Sequence, residues 1–95
     1  MQEQNQIQIQ IKDEDLKGNY SNIMQVIHTK EEFALDFFSV FPPKGNLVSR
    51  IIMSPSHLKR MIRALQENMG KYEEKFGKIE ETANSESFLG FQSDK

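Results

Sequence analysis

Hydrophobic and polar residues alternate in one segment of the chain, and apolar residues crowd both sides of another. In residues 6–12, Ile7, Ile9 and Ile11 alternate with polar residues, which predicts a half-buried edge strand. Residues 33–41 read Phe-Ala-Leu-Asp-Phe-Phe-Ser-Val-Phe. Side chains alternate with period two along a strand, so this segment carries apolar groups on both faces. Such a strand has to be covered twice.

Two further strands are predicted around this Phe-rich one. Residues 19–28 read as the strand before it, and residues 47–53 read as the strand after it. The segment Pro42-Pro43-Lys44-Gly45-Asn46 breaks the pattern and turns the chain between the last two. The four strands are therefore expected to form an antiparallel meander.

The two inner turns can be tested against each other through their registers. If His28 faces Phe33 and Phe41 faces Leu47, both hairpins are consistent with one sheet. One face then collects Met24, Val26, Leu35, Phe37, Ile51 and Met53, and the other collects Ile23, Ile27, Phe38, Val40, Val48 and Ile52. Both faces of the predicted sheet are apolar.

A single long helix follows the strands. Ser54 is a suitable N-cap, Pro55 occupies the favoured first position, and Gly77 suits the C-terminal end. The apolar stripe at helical spacing comprises Leu58, Met61, Ile62, Leu65, Met69, Tyr72 and Phe76. A helix of this length spans roughly 34 Å and is expected to lie along one face of the sheet. A close backbone approach at Gly70 would explain that glycine.

The pattern therefore predicts an α+β fold, a four-stranded antiparallel meander with one long C-terminal helix. Residues 1–77 form a single domain, and residues 78–95 are interpreted as a disordered tail rich in polar and charged residues. The chain has one helix for two apolar faces, so a second copy is expected to cover the other face in a dimer or tetramer.

The predicted oligomer interface lies on the sheet. Its residues are Ile23, Phe38, Val40, Val48, Ile52, Asp36 and Arg50. Asp36 is unusual because it interrupts an apolar strand, and the predicted register places Arg50 diagonally across from it. A buried or interfacial ion pair between the two is the favoured interpretation, and it would restrict which partner surface is accepted.

Composition limits the function classes. The chain has 95 residues, of which 37% are hydrophobic, and a formal net charge of -2, so nothing draws it as a whole toward nucleic acid or acidic membranes. It contains no cysteine, and His28 and His57 are its only histidines. Neither histidine has a partner at catalytic or metal-ligand spacing, so we expect no enzyme, no metal and no cofactor. Without a signal peptide or membrane helix, a cytoplasmic location is expected.

Two segments are candidates for partner binding. Lys59, Arg60 and Arg63 form a basic cluster near the helix start, which suits nucleic acid or an acidic peptide, or is a solvated helix face. In the tail, the apolar group containing Phe88, Leu89 and Phe91 is either a short docking motif or a feature without function.

Several motifs carry a resemblance to a known family. They are Gly18-Asn19-Tyr20-Ser21-Asn22, Glu32-Phe33-Ala34-Leu35-Asp36-Phe37, Ser54-Pro55-Ser56-His57-Leu58-Lys59-Arg60, Leu65-Gln66-Glu67-Asn68 and Tyr72-Glu73-Glu74-Lys75-Phe76-Gly77. Over residues 18–77 the chain resembles a small bacterial family of unknown function, which implies no activity. The order of four strands and a helix is also similar to the architecture of SecB-type translocation chaperones, although the second C-terminal helix of that fold is missing here.

These observations favour a non-enzymatic, oligomeric protein-binding or adaptor domain with a chaperone-like role as one form. Its partners would be further copies of itself and another protein or peptide, and not a membrane. The alternative is a nucleic-acid-associated regulator that uses Lys59, Arg60 and Arg63.

Overall fold

The fold consists of a small antiparallel sheet followed by one long helix. The structure is a computed structural model that describes residues 6–82. Its elements are a 3₁₀ helix at Asp13–Lys17 and then β1 (Ile23–His28), β2 (Phe33–Phe41), β3 (Lys44–Met53) and α1 (Pro55–Phe76). Over these residues the sheet has three strands in the order β1-β2-β3. The α+β meander with a C-terminal helix is confirmed.

The first hairpin has the register expected from the sequence. His28 is paired with Phe33, and Ile23 is paired with Phe38 at the other end. The turn is closed by Thr29, whose amide donates to the Glu32 carbonyl at 2.9 Å and whose hydroxyl accepts from the Glu32 amide. This local bonding fixes which residues of β1 and β2 share a face.

The second hairpin is tighter than the sequence indicated. Only Pro42 and Pro43 form the turn, so Phe41 pairs with Lys44 and Leu35 pairs with Ile51. Phe41 was expected opposite Leu47, so this pairing is wrong by three residues, and the pairing of Leu35 with Met53 that follows from it is wrong by two. From Phe33 to Phe37 the shift of two keeps every side chain on its predicted face, whereas nearer the turn the shift of three places Leu47 on the face of Phe38. A bulge between Phe37 and Phe38 then changes the register again toward the turn.

Strand β1 begins at Ile23 and not at residue 19. Just before Ile23, side chains instead of the backbone form hydrogen bonds with β2. The Asn22 amide group donates to the Val40 carbonyl and accepts from the Val40 amide, both at 2.9 Å. It thus imitates a backbone partner for β2. The Ser21 hydroxyl lies 3.1 Å from the Phe38 carbonyl.

The predicted first strand is not formed in the single chain. Residues 6–12 have no regular secondary structure and lie outside the sheet. Ile7, Ile9 and Ile11 remain 81%, 78% and 60% exposed. An alternating segment forms a strand only when it pairs with another strand and its isoleucines are covered, and residues 6–12 make neither contact.

Helix α1 has the predicted ends. The Ser54 side chain accepts a hydrogen bond from the His57 amide, Pro55 opens the helix, and the Gly77 amide donates to the Glu73 carbonyl at 2.9 Å. Gly77 has φ +100°, a backbone conformation that other residues adopt at a cost. Both ends of the helix are therefore set by local hydrogen bonds and by the backbone conformations of Pro55 and Gly77.

The position of α1 differs from the expectation. None of its 22 residues, all within the described part of the chain, is buried, and the helix makes very few contacts with the strands. Leu58 and Met61 near its start are half-buried, whereas Leu65 and Phe76 are 59% and 65% exposed. The helix therefore leaves the sheet uncovered instead of lying along it.

The core is correspondingly small. Within residues 6–82 the buried apolar side chains are Ile23, Leu35 and Met53, at 6%, 2% and 8% exposure. Leu35 and Met53 lie on one face of the sheet and Ile23 on the other. Oligomerisation is one of the ways in which a domain with so small a core gains further buried apolar surface.

The glycine inside α1 offers a direct test of this arrangement. Apart from the backbone of α1 itself, no atom of residues 6–82 lies within 4 Å of a Cβ placed on Gly70, so these residues show no close approach there. Gly70→Ala should stabilise the protein by about 0.5–1 kcal/mol, because alanine has the higher helix propensity. Urea denaturation of the variant and the wild type measures this. A loss of stability would show that another surface is packed against this residue.

Candidate binding surfaces

The best-defined polar feature of the sheet is the ion pair between Asp36 and Arg50. The two residues face each other directly on β2 and β3 and not diagonally. Arg50 Nε donates to Asp36 Oδ1 at 2.6 Å, and Arg50 Nη2 donates to Oδ2 at 2.8 Å. This two-point geometry is the strong form of an arginine–carboxylate contact.

Burial and charge act on the Asp36 carboxyl in opposite directions. Asp36 is only 6% exposed, whereas the Arg50 side chain is 53% exposed. The hydrogen bonds from Arg50 lower the pKa of Asp36 below its ordinary value, and burial opposes that shift. The same bonds raise the pKa of Arg50. The carboxylate is thus charged at neutral pH, and half of the guanidinium remains open to solvent.

Apolar residues flank this ion pair on both sides. Gln25, Asp36 and Arg50 form one row across the sheet. The neighbouring rows on the same face are Ile27, Ala34 and Ile52 on one side and Ile23, Phe38 and Leu47 on the other. Ile27, Leu47 and Ile52, here called the sheet patch, are 44%, 54% and 56% exposed. A single polar row therefore crosses an otherwise apolar and partly exposed face.

The predicted interface residues contribute unequally to this surface. Ile23 is already buried within the chain, so it has little further area to offer a second copy. Phe38, Val40 and Val48 are half-buried, and Val40 faces Gly45, where an added Cβ would lie 3.1 Å from Val40 Cγ2. Ile52 is the largely exposed member of the predicted set. Sequence reasoning did not include Leu47, because the bulge that places it beside Phe38 has no signal in the sequence.

A second apolar surface lies on α1. The stripe that was expected to cover the sheet is exposed over most of its length: Ile62 45%, Leu65 59%, Met69 47%, Tyr72 50% and Phe76 65%. Tyr72 and Phe76 contact each other, with ring centroids 5.0 Å apart. The single chain thus presents two apolar surfaces.

Arg60 and Arg63 of the basic cluster lie away from the apolar stripe, whereas Lys59 lies at its border. Lys59, Arg60 and Arg63 are all exposed, and Arg60 Nη1 donates to the Ser56 hydroxyl at 2.8 Å. Helical spacing places the exposed Glu67 beside Arg63 on the same side, so this helix surface carries both signs of charge.

The remaining sequence candidates have ordinary surroundings or lie outside the described residues. The His28 ring contacts Phe33 at 5.3 Å between centroids, beside a shallow pocket lined by Ile27, Thr29, Glu32 and Ala34. His57 lies in the capped first turn of α1. Residues 6–82 contain no group of three or more side chains suited to holding a metal ion. Phe88, Leu89 and Phe91 lie outside the described residues.

Comparison with known proteins identifies a family. A model described as "Protein of unknown function (DUF3467)" matches residues 1–81. The chain belongs to the DUF3467 family. The resemblance expected from the motifs of residues 18–77 is therefore confirmed, and the match includes the alternating N-terminal segment as well. No curated protein and no solved structure matches the chain.

Because the function of the family is unknown, membership in it assigns no activity to this chain. In residues 6–82, no helix combines the length and the apolar character that crossing a bilayer requires. The apolar stripe of α1 is one side of an otherwise polar helix.

The ion pair predicts a defined pH dependence. The folded-state pKa of Asp36 is depressed, so its contribution to stability is present above the unfolded-state pKa of about 3.9 and is lost as pH falls through the folded value. Asp36→Asn should therefore lower the free energy of unfolding at pH 7, and the difference from wild type should shrink toward pH 2. Urea denaturation across this range measures it.

Asp13→Asn is the matched control, because it removes one negative charge from an exposed turn. A constant difference between Asp36→Asn and wild type from pH 7 to pH 2 would contradict the role of the Asp36 charge.

Proposed function

We propose that this member of the DUF3467 family is a non-enzymatic, homo-oligomeric domain that binds another polypeptide. The observation that carries the proposal is the presence of two uncovered apolar surfaces, the sheet patch and the stripe of α1, on a chain with only three buried apolar side chains in its described part. Exposed apolar surface on this scale is typical of interaction sites.

The sheet offers both affinity and selectivity to an extended polypeptide. β1 and β3 are the outer strands, so each has one edge without a strand partner among residues 6–82. A partner segment can add to such an edge through backbone hydrogen bonds, with its side chains on the sheet patch. The exposed part of Arg50 favours an acidic or amide group at the centre of that segment.

The fourth strand belongs to the same proposal. Residues 6–12 have the strict alternation of an edge strand, and their isoleucines are exposed in the single chain. They form a strand only when another copy supplies the edge and the apolar cover. The oligomer interface on the sheet face also remains a prediction. It comprises Ile23, Phe38, Val40, Val48, Ile52, Asp36 and Arg50.

A chaperone-like role is one form of this function. The arrangement of strands followed by a helix is similar to that of SecB-type chaperones, and exposed apolar surface suits the capture of unfolded chains. This likeness is one of architecture, which on its own is weak support for function.

Binding of an unfolded polypeptide tests the proposal. The probe is a fluorescently labelled, reduced and carboxymethylated polypeptide that cannot refold, and the readout is anisotropy. We expect Ile52→Glu to weaken binding by about 10- to 100-fold, since burial of an isoleucine side chain contributes about 1.5–3 kcal/mol.

Asn46→Glu is the matched control, because Asn46 is an exposed residue of β3 opposite Ser39, on the other face. Absence of binding at about 100 µM protein, or equal binding by the two variants, would rule out the sheet patch as the binding surface.

The basic cluster favours a second candidate, a nucleic-acid-associated regulator. In that case labelled DNA or RNA should bind with an affinity that falls as salt rises, and Arg60→Glu combined with Arg63→Glu should abolish the binding. Under the favoured function this double variant retains polypeptide binding, because both residues lie off the apolar surfaces. The two assays on one variant therefore separate the candidates.

A further inference from the structure

We propose that α1 pairs with α1 of a second copy in an antiparallel two-helix coiled coil. The inference rests on the proposed homo-oligomeric function and names the surface that carries it. Three independent features support it: the period of the apolar residues, their exposure, and the charges beside them.

The apolar residues of α1 follow a heptad pattern. Leu58, Ile62, Leu65, Met69, Tyr72 and Phe76 are spaced by four, three, four, three and four residues. The alternation of four and three repeats each position after seven residues, from Leu58 to Leu65 and Tyr72 and from Ile62 to Met69 and Phe76, as in the two seam positions of a coiled coil. The pattern is thus suited to another helix.

Among residues 6–82, the seam from Ile62 to Phe76 is not covered by another element. Its five residues from Ile62 to Phe76 are between 45% and 65% exposed, and α1 makes very few contacts with the strands. The exposed part of the seam, from Ile62 to Phe76, is about 21 Å long at 1.5 Å per residue. A partner of similar length and complementary spacing is required, and a second copy of α1 has both.

The side-chain sizes favour an antiparallel arrangement. With the two copies aligned about the middle of α1, Leu58 meets Phe76 of the second copy, Ile62 meets its Tyr72, and Leu65 meets its Met69. Each of these layers occurs twice by symmetry, so every seam residue finds a seam partner. The bulky rings at one end of the helix meet aliphatic side chains. A parallel pair would instead stack Tyr72 on Tyr72 and Phe76 on Phe76.

The residues beside the seam also favour an antiparallel orientation of the two helices. In the antiparallel register Lys59 lies beside Glu73 of the second copy, which creates two opposite-charge pairs, and Gln66 meets Gln66 at the two-fold axis. The Ile79 amide donates to Glu73 Oε2 at 2.9 Å, and the carboxylate retains acceptor sites for a lysine. A parallel pair would place Met61 beside Gln66 and Asn68 beside Glu73, without any opposite charges.

Sedimentation equilibrium of the full chain is the first test. Leu65→Glu should raise the dimer dissociation constant by at least about 100-fold, because the layer it disrupts occurs twice. Ala64→Glu introduces the same charge at an exposed position off the seam and should leave the constant within a few-fold. Equal behaviour of the two variants would overturn the helix pairing.

Cross-linking determines the direction of the pair. The chain has no cysteine of its own, so single cysteines can be placed without interference. A mixture of Lys59→Cys and Glu73→Cys proteins, treated with a short bis-maleimide of about 10 Å, should give the mixed dimer. The layers described above place the two-fold axis at residue 67, so two copies of residue 59 lie about 24 Å apart along the helices, beyond the reach of this reagent. Dominant 59–59 and 73–73 products would overturn it.

A charge exchange completes the test. Lys59→Glu and Glu73→Lys should each weaken the dimer, and the double variant should restore it toward the wild type, because the opposite pairs are re-formed with reversed signs. Failure of the double variant to recover would argue against the register.

The outcomes separate this inference from the proposed function. A dimer that is indifferent to Leu65→Glu and gives no 59–73 product would use another surface, which overturns the helix pairing and leaves the homo-oligomeric function standing. A monomer at about 100 µM overturns both.

Discussion

Strand β2 carries bulky apolar side chains on both faces, and the rest of the fold depends on how those faces are covered. As the middle strand it is paired on both sides, with β1 and β3 and, at Val40, with the Asn22 side chain. Its side chains are less completely packed: Leu35 is buried, whereas Phe33, Phe37, Phe38 and Val40 are only half-buried. Pairing and packing are therefore satisfied to different degrees in the single chain, and the hydrophobic effect leaves a driving force for association.

The Asp36–Arg50 pair shows how a charge is tolerated in such a surface. A carboxylate on the middle strand is removed from most of its water, and only a two-point contact with a guanidinium compensates for that loss. Because Arg50 is on an outer strand, its other side remains in solvent. The pair thus marks a polar position in an apolar face, which restricts the partners that fit there, since an apolar group placed over it would leave charges without solvent.

The separation of α1 from the sheet is the feature with most consequence for function. A helix lying on the sheet would have used its stripe to complete a core, and little apolar surface would be left for partners. With α1 extending away, the chain has two surfaces that can act independently. In the functions proposed above, the helix serves self-association and the open edges of the sheet serve the binding of a polypeptide. Two separate surfaces would allow one small domain to do both.

The sequence by itself determined the features that depend on local chemistry and periodicity. Ser54, Pro55 and Gly77 set the ends of α1, the period-two pattern fixed β2, and Thr29 fixed the first hairpin, so the faces of the sheet and the ion pair followed. Only the tertiary structure decided the register of β3, because the Pro42-Pro43 turn and the bulge have no periodic signal. It also decided that residues 6–12 stay outside the sheet and that α1 leaves it. An amphipathic pattern states that an element needs an apolar partner, but whether that partner is the same chain or another copy depends on long-range packing, which periodicity does not contain.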